Sequence, residues 1–193
     1  MIKQCTLFFV HLLLFASIAK AQNNENIDSL SRYQRLDVSF VFGGQIYNNN
    51  LIYNPGYGFQ NSYGLKLNES VGIGIGFGYY GLQKECFLPV FVETIGYKKK
   101  MPSSPFIKMQ AGYAFGWYKD LIQIEGHSLS GGVYIDAGMG RKIMVNRTYS
   151  ILFQCSYRHQ FGHMEYEVFD QSYSESINYD LIVISIGIIR ECL

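Results

Sequence analysis

From residue 36 to the end, bulky apolar side chains alternate with small or polar ones, and clusters of turn-forming residues break the runs. The plainest run is VGIGIGFGY at 71–79, with Val71, Ile73, Ile75, Phe77 and Tyr79 on one face and Gly72, Gly74, Gly76 and Gly78 on the other. Each glycine would cost a helix about 1 kcal/mol. An extended strand, whose side chains repeat with a period of two, accounts for the pattern directly. The same alternation recurs at 38–46, 57–67, 107–117, 132–140, 149–158 and 181–188. Residues 87–97 are apolar on both faces and are broken by Pro89 and Glu93; we read Glu93 inward, with Val90, Val92 and Thr94 outward. Together these segments predict eight strands and no helix in this part of the chain.

Which face meets water decides the class. In a soluble sandwich or barrel the bulky face fills the core and the other face carries charge. Here the second face is mostly Gly, Ala, Ser and Gln, which makes a poor water-facing surface but fits inside a narrow closed barrel. The bulky face then meets hydrocarbon. In lipid every backbone polar group must be paired within the protein, and a sheet achieves this only by closing on itself. The reading is an all-β, eight-stranded antiparallel up-and-down transmembrane β-barrel, with strands near the length a tilted span needs. Tyr47, Tyr57, Tyr79, Trp117, Tyr157 and Tyr179 fall at one set of strand ends, and Tyr97 and Tyr149 at the other. They are expected to form the aromatic girdles of the two interfaces. Lys66, Glu93, Lys108, Asp136 and Arg158 are expected inside, paired with one another, because buried charge must be compensated.

The connections fit an end-to-end asymmetry. Short turns are expected at 68–70, 98–104 and near Asn146 and Arg147, on the side of the chain termini. Longer ones at 48–55, 80–86, 118–128 and 161–176 face outward. The last holds Glu165, Glu167, Asp170 and Glu175 and is the candidate surface for an extracellular partner.

The start of the chain reads as an address. Lys3 precedes an apolar run at 7–19 interrupted only by His11 and Ser17, and Ala19-Lys20-Ala21 fits a small-x-small cleavage pattern before Gln22. The expected organisation is a cleaved signal peptide at 1–21, a polar periplasmic leader at 22–34 and the barrel at 35–193. Losing Lys3 and Lys20 takes the formal charge from +1 to −1, far from the basic face that nucleic acid requires. Cys86, Cys155 and Cys192 remain, at spacings that suit no zinc site. Cys86 and Cys192 fall at opposite rims, out of disulfide reach.

The segments LPVFVETIGYK, SPFIKMQAGYAFGW, SGGVYIDAGMGRK, YSILFQCSYRHQFG and LIVISIGIIRECL carry a resemblance. From about Leu36 to Leu193 the chain resembles the small outer-membrane β-barrel domain family, with an OmpA- or OmpX-like barrel. Such barrels often finish on an aromatic residue, whereas this chain finishes on Leu193. The resemblance implies the outer membrane of a Gram-negative bacterium, with outer-membrane lipid and the barrel-insertion machinery as partners.

The sequence carries little catalytic or metal-binding chemistry. Arg158-His159-Gln160-Phe161 resembles the opening of a His-x-Ser pair of outer-membrane lipid A deacylases, but Phe161 stands where the hydroxyl is needed. His127, His159 and His163 lack an accompanying carboxylate pattern for a metal. The glycines at 72–78 precede no helix that could receive a phosphate. The expected function is structural or interactive, without catalysis or cofactor. A narrow channel, an accessory subunit of a secretion or assembly machine, and a lipid-modifying enzyme stand as alternatives.

Overall fold

The computed structural model describes residues 31–47, 50–68, 70–98, 103–119, 127–168 and 171–192. The expected cleavage site at Ala19, Ala21 and Gln22 lies outside the described residues, as does most of the leader. Among the described residues there are ten strands: β1 (Arg32–Tyr47), β2 (Asn50–Tyr53), β3 (Gly56–Lys66), β4 (Val71–Gly81), β5 (Glu85–Tyr97), β6 (Ser103–Tyr118), β7 (His127–Ser130), β8 (Gly132–Met144), β9 (Tyr149–Val168) and β10 (Gln171–Cys192). Neighbours along the chain pair antiparallel in the order β1, β3, β4, β5, β6, β8, β9, β10, and β10 pairs back onto β1. The ring is therefore closed by eight strands, as the alternation predicts, and has no free edge within the wall. β2 and β7 are short additions, paired to β1 and β9.

The facing of the strands follows the reading. Phe40, Ile75, Val92, Ile107, Ile135 and Ile184 all point outward and are half-exposed or more. β5 takes the expected phase, with Glu93 buried and Val90, Val92 and Thr94 outside.

The interior is fuller than small and polar residues alone would make it. At the end away from the termini an apolar cluster fills the barrel, including Tyr80, Phe87, Phe91, Tyr134, Tyr179 and Leu181. At the termini end a second cluster joins Tyr33, Ile95, Tyr97, Phe106, Leu152 and Ile189. The glycines make room for these rings. Gly64 and Gly74 face each other across β3 and β4, and the Tyr33 ring lies over both. A Cβ on Gly64 would stand 2.4 Å from Tyr33 Cζ, and one on Gly74 would stand 2.7 Å from its Oη. Gly43 answers a different need: its φ is +124°, and a Cβ there would lie 2.1 Å from the Asp180 carbonyl oxygen.

Several boundaries differ from the sequence reading: the loop expected at 48–55 holds β2, the one expected at 118–128 runs into β7, and the turn expected at 98–104 gives way to β6 at Ser103. β1 starts at Arg32, so residues 32–34, expected in the leader, are paired wall. The loop expected at 80–86 contracts to a turn at 82–84, because β4 and β5 run on to Gly81 and back from Glu85. The long loop expected at 161–176 is a β-hairpin, with β9 and β10 paired up to Val168 and Gln171. Beyond Phe161 and Ile177 those two strands have left β8 and β1 and keep only each other and β7. The hairpin thus passes the wall by roughly 20 Å along the strand.

Candidate functional site

The polar interior forms a belt between the two apolar clusters. Its centre is one row of directly opposed residues: Tyr33, Gly64, Gly74, Glu93, Gln110, Asp136 and Arg158. The glycines leave the row open on one side, so the Tyr33 hydroxyl reaches across them and donates to Glu93 Oε1 at 3.1 Å. Ser62 Oγ donates to the same oxygen at 2.7 Å, and Gln110 Nε2 donates to Oε2 at 3.1 Å. Arg35 adds its guanidinium, with Nη2 at 3.1 Å from Glu93 Oε2 and Nε at 2.7 Å from Asp37 Oδ2. On the other side Asp136 takes Lys108 Nζ at 3.3 Å and Arg158 Nε at 3.1 Å, and Ser156 Oγ donates to it at 3.2 Å. The Arg158 guanidinium lies between the Tyr80 and Tyr134 rings, 5.0 and 5.2 Å from their centroids.

All six charged groups of the belt are buried. Arg35, Lys108 and Arg158 balance Asp37, Glu93 and Asp136, so the belt is formally neutral. That balance is what a low-dielectric interior demands, since an uncompensated ion there is far more costly than a pair. Of the expected network, Glu93, Lys108, Asp136 and Arg158 are in the belt. Lys66 is not: it sits near the termini end, where Lys66 Nζ is 2.8 Å from Glu191 Oε2 and Lys142 Nζ bonds Glu191 Oε1. Arg35 and Asp37 are not in the expected network because the alternation of the first strand is read over 38–46, although the RLDVSF phase places both on the Ser39 face.

The residues expected in the girdles divide between the outer wall and the interior. Tyr57, Trp117, Tyr149 and Tyr157 are exposed on the outer wall, and Tyr79 is half-buried between the Phe59 and Trp117 rings. Tyr97 and Tyr179 are interior, 9% and 0% exposed. Strand parity explains both: Tyr97 shares the face of Glu93, and Tyr179 the face opposite Ile182 and Ile184. The Tyr47 side chain lies outside the described ones.

A hydrogen-bonded polar group also lies on the outer wall, at β9 and β10. Asp180 Oδ1 lies 2.6 Å from His159 Nδ1 and accepts from the Tyr157 hydroxyl, across β9 and β10. A carboxylate thus holds the imidazole, but the next outward residue on the strand is Phe161, whose ring stands edge-on to His159 at 4.6 Å. The position a nucleophile would occupy is aromatic. His163 Nε2 is 2.7 Å from Ser174 Oγ in the hairpin, and the His127 side chain is outside the described ones. Cys86 is buried, with Sγ 3.0 Å from the Tyr79 hydroxyl, and Cys155 faces outward; both are free thiols. Cys192 ends β10 at the opposite rim from Cys86, its side chain outside the described ones.

A closed, antiparallel eight-stranded barrel with an apolar outer wall is the fold of the small outer-membrane barrels. Three solved structures share it. Neisserial surface protein A is 11% identical, with a TM-score of 0.55 over 82% of this chain and 96% of that one. The outer membrane protein OprG from Pseudomonas aeruginosa is 10% identical, with a TM-score of 0.54 over 88% and 99%. The outer membrane protein AlkL, solved in DMPC lipid bilayers, is 11% identical, with a TM-score of 0.55 over 89% and 97%. No family model matches the chain, and no curated protein matches it in sequence.

Proposed function

We propose that this chain is an integral outer-membrane barrel of a Gram-negative bacterium, exported through a cleaved signal peptide at 1–21 and placed by the barrel-insertion machinery. Its role is structural and interactive, and it performs no catalysis. The barrel holds the β9–β10 hairpin beyond the membrane as a contact surface for an extracellular partner. The observation that carries this reading is the hairpin itself, which stays paired past the wall while the interior beneath it is closed.

The hairpin is built to keep its shape. Leu129 of β7 and Ile177 of β10 are buried beneath it in the outer cluster. Tyr118 Oη donates to Met164 Sδ at 3.0 Å, and Tyr166 stacks on Tyr173 at 5.6 Å. A preformed surface of this kind loses little conformational entropy on binding. The filled interior speaks against the narrow channel, since both apolar clusters would have to part before an ion could pass. Phe161 beside His159 speaks against a lipid hydrolase, which needs an activated nucleophile there.

Two measurements test the proposal together. An epitope inserted between Val168 and Gln171 should be labelled by antibody on intact cells, and the purified barrel should give no unitary conductance steps in planar bilayers. An epitope reached only after lysis, or reproducible conductance steps, would overturn it.

A further inference from the structure

We infer that the outer wall of β9, β10 and β1 holds one anionic glycerophospholipid, its phosphate headgroup at the termini end and an acyl chain in a groove farther along the same strands. The inference rests on the barrel lying in a bilayer and concerns the opposite end of the molecule from the hairpin.

The register lays the site out row by row. Tyr149, Arg190 and Gln34 are directly opposed across the three strands, and all three point outward and are exposed. Arg32, opposite Cys192, is the diagonal neighbour of Arg190 on the same face, within about 7–8 Å. Arg147 stands in the β8–β9 turn, two residues before Tyr149. That turn is fixed: Asn146 Oδ1 accepts from the Thr148 and Tyr149 amides at 2.9 and 2.7 Å, and the Glu191 amide donates to the Thr148 carbonyl at 2.8 Å. Arg32, Arg147 and Arg190 are therefore gathered around one patch of wall.

Their counter-ion has been taken elsewhere. Glu191, next to Arg190, points inward and is shared by Lys66 and Lys142. Among the described residues, none of the three arginines is in an ion pair. Arg141, outward on β8, differs: its Nε donates to Ser103 Oγ at 2.7 Å. Three exposed guanidiniums on this patch, with no acid paired to them among the described residues, suit a phosphate, which they can bind in a bidentate manner.

The groove supplies the second half. The next row inward is Ile151, Ile188 and Leu36, and the one beyond is Phe153, Ile186 and Val38. After that come Cys155, Ile184 and Phe40. Phe153 and Phe40 stand at opposite corners as ridges, and Ile184, Ile186 and Val38 form the depression between them. Ile186 is four positions from Arg190, about 13 Å along the strand. A phosphate at the arginines would thus lie in line with an acyl chain in the groove. A free phosphate would ignore the groove, and a protein partner could not reach it from water.

Native mass spectrometry of the folded full chain in detergent tests this, with phosphatidylglycerol, phosphatidylcholine of the same acyl chains, and lipid A as probes. Phosphatidylglycerol should be retained about tenfold more than phosphatidylcholine, the effect of a basic residue or two at a lipid surface. The triple variant R32Q/R147Q/R190Q should lose that preference. Ile186→Trp, which fills the groove without touching charge, should lower retention of both phospholipids. Equal retention of the two phospholipids, a preference that survives the triple variant, or a preference for lipid A would overturn the assignment. A gel shift between boiled and unboiled samples is read on every preparation. Its absence in the unaltered protein would count against the barrel, and its absence in the triple variant leaves the decision to Ile186→Trp and the unaltered protein.

Discussion

Asp136 is the residue on which most of the interior charge turns. It compensates Lys108 and Arg158 at once, so its loss strands two buried cations. Breaking a buried pair by removing one partner typically costs about 3–5 kcal/mol. Asp136→Leu should therefore lower the temperature at which the barrel loses its gel shift in detergent; unchanged heat resistance would show that the belt does not hold the barrel together. Gly74 makes a separate point. Its Cβ would collide with the Tyr33 hydroxyl that reaches Glu93. Gly74→Val should destabilise by about 1–3 kcal/mol, the usual cost of overpacking, measured as a fall in the urea midpoint. Tyr33→Ala in the same chain should recover part of that loss by clearing the space. No recovery would mean that the ring and the glycine are not coupled.

At the scale of the element, β9 and β10 are two-part strands. Their inner halves are wall, and their outer halves pair with each other and with β7. Cutting residues 163–176 down to a tight turn removes no wall pairing, because β10 meets β1 only from Asn178 onward. The shortened barrel should keep its gel shift and β circular dichroism while losing any partner binding; failure to fold would make the hairpin part of the folding unit. The sequence half-showed this element. YEVFDQSYSES carries too many polar residues on both faces to be read as a strand, since in the wall one face must be apolar. Outside the membrane that constraint lapses, and pairing continues on hydrogen bonds and side-chain contacts such as Tyr166 on Tyr173.

For the whole molecule, a closed ring in which every wall strand is paired on both sides should resist detergent at room temperature and unfold only on boiling. The purified chain should migrate as two species, unboiled and boiled, and a single species at both would remove the basis for the membrane reading. The ring, its strand number and the facing of each wall strand were legible in the sequence. The reason is that lipid outside and a narrow lumen inside impose a period of two on nearly every wall residue. Glu93 inward and Val92 outward were read on that basis from a segment apolar on both faces. What the sequence could not supply was height and partnership. Tyr97 and Tyr179 stand at strand ends like the girdle residues, yet parity turns them inward. Lys66 has the right parity for the belt but lies too near the rim to meet it. Which carboxylate answers which cation, and which arginines are left without one, depends on the register between strands distant in the chain. That register is set by the closure of the ring as a whole, so only the tertiary structure could decide it.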